Sequence, residues 1–242
     1  MAAQGYWDIH NHILPGLDDG SGCIEETLEL LRQEYDQGVR NIVFTPHFRP
    51  GMFGVNADDR EEVFRSVYDR IKKAFPQMEF YLGCEYFAHS QMLGDIRRDS
   101  RNRMAGTNAV LLEFKTLHSY SSIQNAVMKT AAYGLQPIIA HVERYQSLWG
   151  NPERIEELKR QGAFIQINSG TLLGNSGMQK KKFCMELIKD DLVDFIASDA
   201  HDPRGRRVNL EKTIRKVSKK FGLETAEKIF VKNPWNLFGQ GK

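Results

Sequence analysis

Short apolar runs alternate with stretches whose apolar residues recur at helical spacing, from one end of the chain to the other. The first run ends near His10 and His12. Ile24, Leu28, Leu31 and Tyr35 then fall on one face of a predicted helix that Ser21 can cap and Gly38 ends. Residues 41–46 read as a second strand ending at His47, and a loop with Pro50, Gly51 and Gly54 leads to a helix over 59–75. A third strand is expected over 79–85, a looser polar segment over 88–108 and a fourth strand over 109–114. Helix 122–133, strand 136–141, helix 153–161 capped by Asn151, strand 163–168, helix 178–189 and strand 194–198 follow. Helices over 209–221 and 224–231 complete the pattern. Seven strands mostly separated by helices predict βαβ units and a parallel sheet covered by helices. No composition break divides residues 1–242, which are expected to form one domain; an α/β barrel of about 200–250 residues is a single unit.

In a barrel of parallel strands the functional groups sit where the strands end. Here those ends read His10 and His12, His47, Glu85, Glu113, His141, Asn168, and Asp199 with His201. His10 and His12 stand two apart, so in extended chain both imidazoles point to one side. The turn that follows carries Asp18 and Asp19 between Gly16 and Gly20, and either acid can supply a hard oxygen ligand. Five of the seven histidines belong to this set, a placement that points to a polynuclear metal site of the zinc, manganese or iron kind. His89 and His118 fall in polar loops and are expected to be ordinary surface or capping residues. Arg144, three residues after His141, and Arg206, five after His201, offer planar forks suited to phosphate oxygens. Cationic metals beside arginines imply an anionic, oxygen-rich substrate.

Composition narrows the field by exclusion. Thirty-three basic and 31 acidic residues leave a formal net charge of +2, which signals no general nucleic-acid binding. The short basic clusters at 97–103, 180–182 and 215–220 are expected to be solvated surface. Cys23, Cys84 and Cys184 are widely spaced and odd in number, as in a cytoplasmic protein with reduced thiols. The residues six beyond them are Glu29, Ser90 and Asp190, so the thiolate–arginine loop of a cysteine phosphatase is excluded. The first residues lack the basic and apolar regions of a signal peptide, and no apolar run approaches the ~20 residues of a membrane span. Phosphate-binding glycine motifs for nucleotides are also missing.

Taken together, D-I-H-N-H at 8–12, D-D-G at 18–20, T-P-H at 45–47, G-C-E at 83–85, L-E-F at 112–114, A-H-V-E-R-Y at 140–145 and S-D-A-H at 198–201 resemble the PHP (polymerase and histidinol phosphatase) superfamily. More narrowly they resemble its bacterial protein-tyrosine phosphatases of the capsule and exopolysaccharide type. The match runs in order along nearly the whole chain. It implies a distorted (β/α)7 barrel of TIM-like kind and three divalent ions, manganese first, with iron or zinc as alternatives. His10, His12, Glu85 and Asp199 would hold the first ion, and Glu85 would bridge to a second held by Glu113 and His141. Asp19, His47 and His201 would hold the third, with Asp18 the alternative to Asp19. Arg144 and Arg206 match the family's phosphate-contacting arginines, and Val142 replaces the family's usual proline, which could loosen how Arg144 is presented.

The activity implied is hydrolysis of phosphotyrosine by a metal-bridging hydroxide, with a bacterial tyrosine autokinase that controls polysaccharide export as the substrate protein. Arg49, Met52 and Phe53 are candidates to border that substrate. One alternative keeps the chemistry and changes the substrate to histidinol phosphate, another small phosphomonoester or nucleic-acid ends. The other is a non-catalytic, metal-stabilised binding module, which would have no need of both arginines.

Overall fold

The structure, a computed structural model, describes residues 5–53 and 55–239; Gly54 of the expected loop and the chain's first four and last three residues lie outside it. Among the described residues nine strands pair, all in parallel. β1 (Tyr6–Asp8), β2 (Val39–Phe44) and β4 (Glu79–Leu82) form one sheet in that order. A six-stranded sheet runs β3 (His47–Phe48), β5 (Glu85–Phe87), β6 (Ala109–Glu113), β7 (Gln136–Ile139), β8 (Phe164–Asn168), β9 (Phe195–Ala197).

Two of the expected strands are each broken in two, side by side. Between β2 and β3 lies Pro46, which has no N–H to give a ladder. Between β4 and β5 lies Gly83, where an added Cβ would meet Met104 Sδ at 2.7 Å and its backbone at 3.2 Å. Hydrogen bonds Gly83 N–H to Phe44 C=O (2.8 Å) and Glu85 N–H to Pro46 C=O (3.2 Å) carry the pairing across the break. The shared jog brings His47 beside Glu85 in register.

The sheet curls so that its first and last strands meet. Asp199 N–H donates to His10 C=O and His12 N–H to Ala200 C=O, both at 2.8 Å. Alternate residues on the strands serve two different cores, as a period of two requires. Ile42, Phe44, Val110, Leu112 and Ile139 join the large cluster shared with the helices. Trp7, Ile9, Val43, Leu111, Ile138 and Phe195 face the other way into a smaller cluster. There Trp7 stacks on Tyr81 at 5.5 Å and meets Phe238 of the last helix, α10 (Asn233–Phe238), at 6.1 Å. This apolar floor lies under the ends of the strands.

The helices α1 (Ile24–Asp36), α2 (Ala57–Ala74), α4 (Tyr120–Ala132), α5 (Pro152–Arg160), α7 (Met178–Lys189) and α8 (Leu210–Phe221) fall where the periodicity predicts them. The expected caps differ. α1 starts three residues beyond Ser21, whose hydroxyl bonds Cys23 C=O, and Asn151 turns its amide to Trp149 C=O. The segment read as loose contains α3 (Met92–Arg98), and α6 (Ser169–Leu173) adds a short turn; the helix expected over 224–231 is present as α9 (Leu223–Glu227) running on into a π-helical turn over Lys228–Lys232. Among the described residues no helix is long and apolar enough to cross a membrane.

One buried pair ties α1 to the seam where the first and last strands meet. Asp8 accepts from Ser198 N–H (2.9 Å), Ser198 Oγ (2.6 Å) and Asn11 Nδ2 (3.2 Å). Glu34 of α1 lies against it, fully buried, and neither of its oxygens has an aligned donor among the described residues. Burial first, and the Asp8 charge second, push the Glu34 carboxyl well above the ordinary glutamate range. Asp8, with three donors, is the partner better able to carry the charge. Folding therefore keeps on Glu34 a proton that the unfolded chain releases above about pH 4.3. Its contribution is complete below that pH and is lost as pH rises toward the folded-state value. Glu34→Gln should match the wild type in urea melts near about pH 4 and be the more stable protein near about pH 8. Parallel loss of stability with pH in both proteins would show that Glu34 is ionised in the fold.

Candidate metal centre

The chain turns sharply at the ends of the strands to aim side chains at the space above the floor. His141 and Asp199, just past β7 and β9, have φ of 33° and 52°, in the left-handed region that costs a non-glycine residue energy. After β1 the chain turns back on itself, and Gly20 packs so tightly there that a Cβ would meet His12 C=O at 2.0 Å. These are the places where the backbone is bent to serve the site.

The nine acids and histidines singled out in the sequence converge. Glu85 is at the centre: its Oε2 lies 3.3 Å from His10 Nε2, 3.3 Å from His12 Nε2 and 3.0 Å from His47 Nδ1. Its Oε1 is 2.7 Å from His141 Nε2. Asp199 Oδ1 lies 3.6 Å from His10 Nε2 and 3.5 Å from His12 Nε2. Asp19 Oδ1 is 3.5 Å from Nε2 of both His47 and His201, and Glu113 Oε2 is 3.7 Å from His47 Nδ1. Among the described residues three overlapping groups have donor atoms near enough to hold an ion: His12, Asp19, His47 and His201; His10, His12 and Glu85; and His47, Glu85 and Glu113. His12 and His47 thus each belong to two groups, where the resemblance places each in one. His89 and His118 join none of them; His89 bonds Tyr86 Oη at 3.1 Å and His118 sits edge-on to Phe114.

A test of fit lies in the unpartnered atoms. Buried polar atoms are almost always hydrogen-bonded. Yet His47 Nδ1, Glu85 Oε2, Glu113 Oε2, Asp199 Oδ1 and His201 Nε2 are buried with no aligned hydrogen bond. All five belong to the cluster. Lone pairs facing one another in a dry space fit divalent cations and little else.

The other edge of four of the five rings is fixed, while His47 turns both nitrogens to cluster carboxylates. Gln166 Oε1 takes the Nδ1–H of His10 (3.1 Å) and also the backbone N–H of His141 (2.7 Å). Asp18 Oδ2 takes the Nδ1–H of His12 (2.7 Å) and the backbone N–H of His47 (2.8 Å). The Asp199 carbonyl takes the Nδ1–H of His201 (3.0 Å), and Tyr145 Oη stands 3.3 Å from His141 Nδ1. Each contact leaves Nε2 as the inward atom, the arrangement that outer partners impose on metal-binding histidines. Asp18 and Asp19 are thereby separated: Asp18 orients His12, and Asp19 faces His47 and His201.

Protonation follows from burial and charge. Burial, opposed by His12, leaves Asp18 lowered to about 2, and the bond to His201 holds Asp19 below the usual range. Burial would raise Glu85 and Asp199, but His10 beside the first and Arg144 beside the second hold both well below the carboxylate range. Burial and then Arg144 lower His141 to about 4; burial and then His12 lower His201 to about 4. Burial and the Glu85 charge raise Glu113 to about 7. Burial would lower His12, yet Asp18 and its neighbours hold it well above the usual histidine range. The field that draws a proton to His12 is one that a divalent cation satisfies better.

Asp199 Oδ2, turned away from the histidines, accepts from Arg144, from Arg206 (3.1 Å) and from Asn168 Nδ2 (2.6 Å). Arg144 arrives there on a short 3₁₀ turn over Val142–Arg144, so valine in place of the family's proline does not turn it away. Arg206 is presented by a loop that Asp202 organises, its carboxylate accepting from the backbone N–H groups of Arg204, Gly205 and Arg206. Beside the cluster Phe53 stacks on His47 at 5.1 Å, and Met52 is exposed. The sequence reading missed Gln166, Tyr145 and Asp202. Gln166 had a readable signal, since it stands two before Asn168 on β8 and so shares its face.

Known proteins of similar sequence and shape agree with one another. CpsB of Streptococcus agalactiae serotype III (strain NEM316), a tyrosine-protein phosphatase, is 33% identical over 235 residues, 95% of this chain and 97% of its own. YwqE of Bacillus subtilis (strain 168), also a tyrosine-protein phosphatase, is 31% identical over 221 residues, 90% of this chain and 85% of its own. A crystal structure from work on YwqE of Bacillus subtilis and CpsB of Streptococcus pneumoniae, metal-dependent tyrosine phosphatases, matches with a TM-score of 0.89 at 30% identity, covering 98% of this chain and 95% of that one. The capsular polysaccharide synthesis family CpsB/CapC matches residues 6–239, and the chain belongs to that family.

Proposed function

We propose that the protein is a metal-dependent phosphoric monoester hydrolase that removes phosphate from protein tyrosine. The observation that carries this reading is the set of five unpartnered buried donors beside two arginines that share Asp199 Oδ2. The phosphatase relatives support it.

We read residues 1–242 as one domain, a distorted (β/α)7 barrel; its support is the pairing across the two strand breaks and the hydrogen bonds of the seam. His10, His12, Glu85 and Asp199 are assigned to one divalent ion, Glu85, Glu113 and His141 to a second, and Asp19, His47 and His201 to a third. Manganese is the first choice, then iron or zinc, because the donors are imidazole and carboxylate with no thiolate. Bound there, such ions would supply Lewis-acid polarisation of a phosphoryl oxygen and a water acidic enough to be a nucleophile near neutral pH. Arg144 and Arg206 each give one donor to Asp199 and keep the rest of the guanidinium fork for the phosphate. They hold the charge that grows on its oxygens, and Asp199 keeps the two forks from swinging away. Phe53, held flat on His47, offers the substrate ring an aromatic wall. A phenolate leaving group of pKa about 10 needs less protonation than an alkoxide, so no side chain is assigned as general acid. The substrate protein is read as a bacterial tyrosine kinase that controls capsule or exopolysaccharide export, acting in the cytoplasm, where the three free cysteines stay reduced.

Chelation should abolish turnover of a phosphotyrosine peptide and added manganese should restore it, while thiol alkylation leaves it intact. Cys84 and Cys184 are buried with thiols raised above the usual range by burial, and Cys23 lies at the start of α1. Activity that survives full removal of metal, or that disappears on alkylation of a folded, loaded protein, would refute the reading.

Arg206→Ala should lose about two to three decades in kcat, the effect of removing one aimed donor from a developing anion. Arg206→Lys should recover part of that, since a point charge makes no parallel pair of hydrogen bonds. Arg204→Ala, on the same loop and exposed, is the control. Kinetics with metal analysis of each variant decide the matter: an active Arg206→Ala with an inactive Arg204→Ala would assign the clamp to the wrong residue.

A further inference from the structure

The cations that the sequence distributes in three clusters do not share one fate. Near residue 100, Arg98 pairs with Asp95 and Arg101 with Asp58, Glu61 and Asp99, while Arg97 lies over the Tyr133 ring and Arg103 donates to Asn108. The other two clusters come together in the fold. Lys216 of α8 donates to Leu172 C=O at 2.7 Å, and its ammonium is lowered from the usual range by burial and by Lys181 of α7 and Lys220. A basic flank therefore stands on a molecule whose net charge is only +2.

Short of that flank, open space beside Arg207 and Lys212 runs to the metal centre. A polar cavity of about 310 Å³ begins at Arg144, Asp199 and Arg206 and reaches Asn175, Arg207 and Asn209. A second, of about 580 Å³, shares Asn175, Gly205, Arg207 and Asn209 with the first and continues to Glu211 and Lys212. The two form one trough with Arg207 at the junction. Among the described residues, Arg207 and Lys212 have no acid or carbonyl partner, whereas Glu211 is taken by Arg215 at 2.6 Å. Asn209 gives its oxygen to Ser169 and leaves its amide N–H groups toward the trough. Unpaired cations and amide donors along a groove that opens from the reacting centre describe a surface for an anion carried by the same substrate.

We infer that this trough binds an anionic side chain of the substrate protein that lies close in its sequence to the phosphotyrosine, either a carboxylate or a second phosphate. The inference rests on the tyrosine phosphatase reading above and adds a substrate preference to it. Arg207 and Lys212 make the contact; among the described residues neither bonds or pairs with a residue of the metal cluster, so they act on binding and not on the bond that breaks.

Three peptides that share one phosphotyrosine test it, flanked by glutamines, by glutamates or by a second phosphotyrosine, with para-nitrophenyl phosphate as a substrate too small to reach the trough. The metal-loaded wild type should prefer the anionic flanks roughly three- to tenfold in kcat/KM, through KM, and lose the preference in high salt. Arg207→Glu with Lys212→Glu should abolish the preference and leave para-nitrophenyl phosphate turnover unchanged, while Arg204→Glu, which alters net charge off the trough, should keep it. Thermal melts confirm folding, and Arg207→Gln with Lys212→Gln replaces the reversed pair if it does not fold. Whether glutamate or the second phosphotyrosine gives the lower KM identifies the anion. Equal rates on all flanks in a wild type that cleaves every peptide would overturn the trough and spare the phosphatase. Equal losses in the Arg204 and Arg207–Lys212 variants would also overturn it. A wild type that cleaves no phosphotyrosine at all would overturn both.

Discussion

A carboxylate oxygen with imidazole nitrogens on three sides and no aligned hydrogen bond is the condition that the rest of the molecule is arranged around. Glu85 opens the strand that restarts after the break at Gly83, in register with His47. His47 opens the neighbouring strand, which breaks at Pro46 at the same level. An isolated buried charge of this kind costs several kcal/mol, and one proton among several histidines offsets only part of it. Divalent cations meet the whole set of lone pairs at once. Cluster, strand breaks and left-handed residues form one requirement expressed at several places in the chain.

Around that centre a layer of acceptors decides which atom of His10, His12 and His201 faces inward. Gln166 holds His10 and the backbone of His141; Asp18 holds His12 and the backbone of His47. Each of these side chains thus fixes a ring on one element and the main chain of another. Loss of such a partner commonly costs metal sites ten- to a hundredfold in affinity, roughly 1–3 kcal/mol. The arginines stand in a third relation to the ions, through Asp199, whose two oxygens point to different partners. One oxygen faces histidines, the other accepts from Arg144, Arg206 and Asn168.

Much of this was legible beforehand, because a parallel α/β chain carries its chemistry at the ends of its strands and those ends can be read from period and turn residues. His10, His12, His47, Glu85, Glu113, His141, Asp199 and His201 each follow an apolar run, and that order survives folding. What the sequence could not show are relations that exist only in three dimensions. Asp18 and Asp19 are adjacent and chemically alike, and only the fold turns one to His12 and the other to His47. Gln166 looked like a polar residue on a strand until two elements met at its oxygen. The break at Gly83 depends on Met104, twenty-one positions away by number, filling the space where a side chain would go. Lysines near residue 181 and near residue 216 are far apart in the chain and share one flank in the fold.

The seam where the first strand meets the last also orders events in time. Asp8 and Ser198, which bond there, are 190 residues apart, and contacts of such separation close late because so much chain entropy must be given up first. His10 and His12 stand on one side of the seam, Asp199 and His201 on the other. A growing chain therefore carries seven of the nine cluster residues before the ninth strand emerges, and Asp199 and His201 complete the set only when that strand docks.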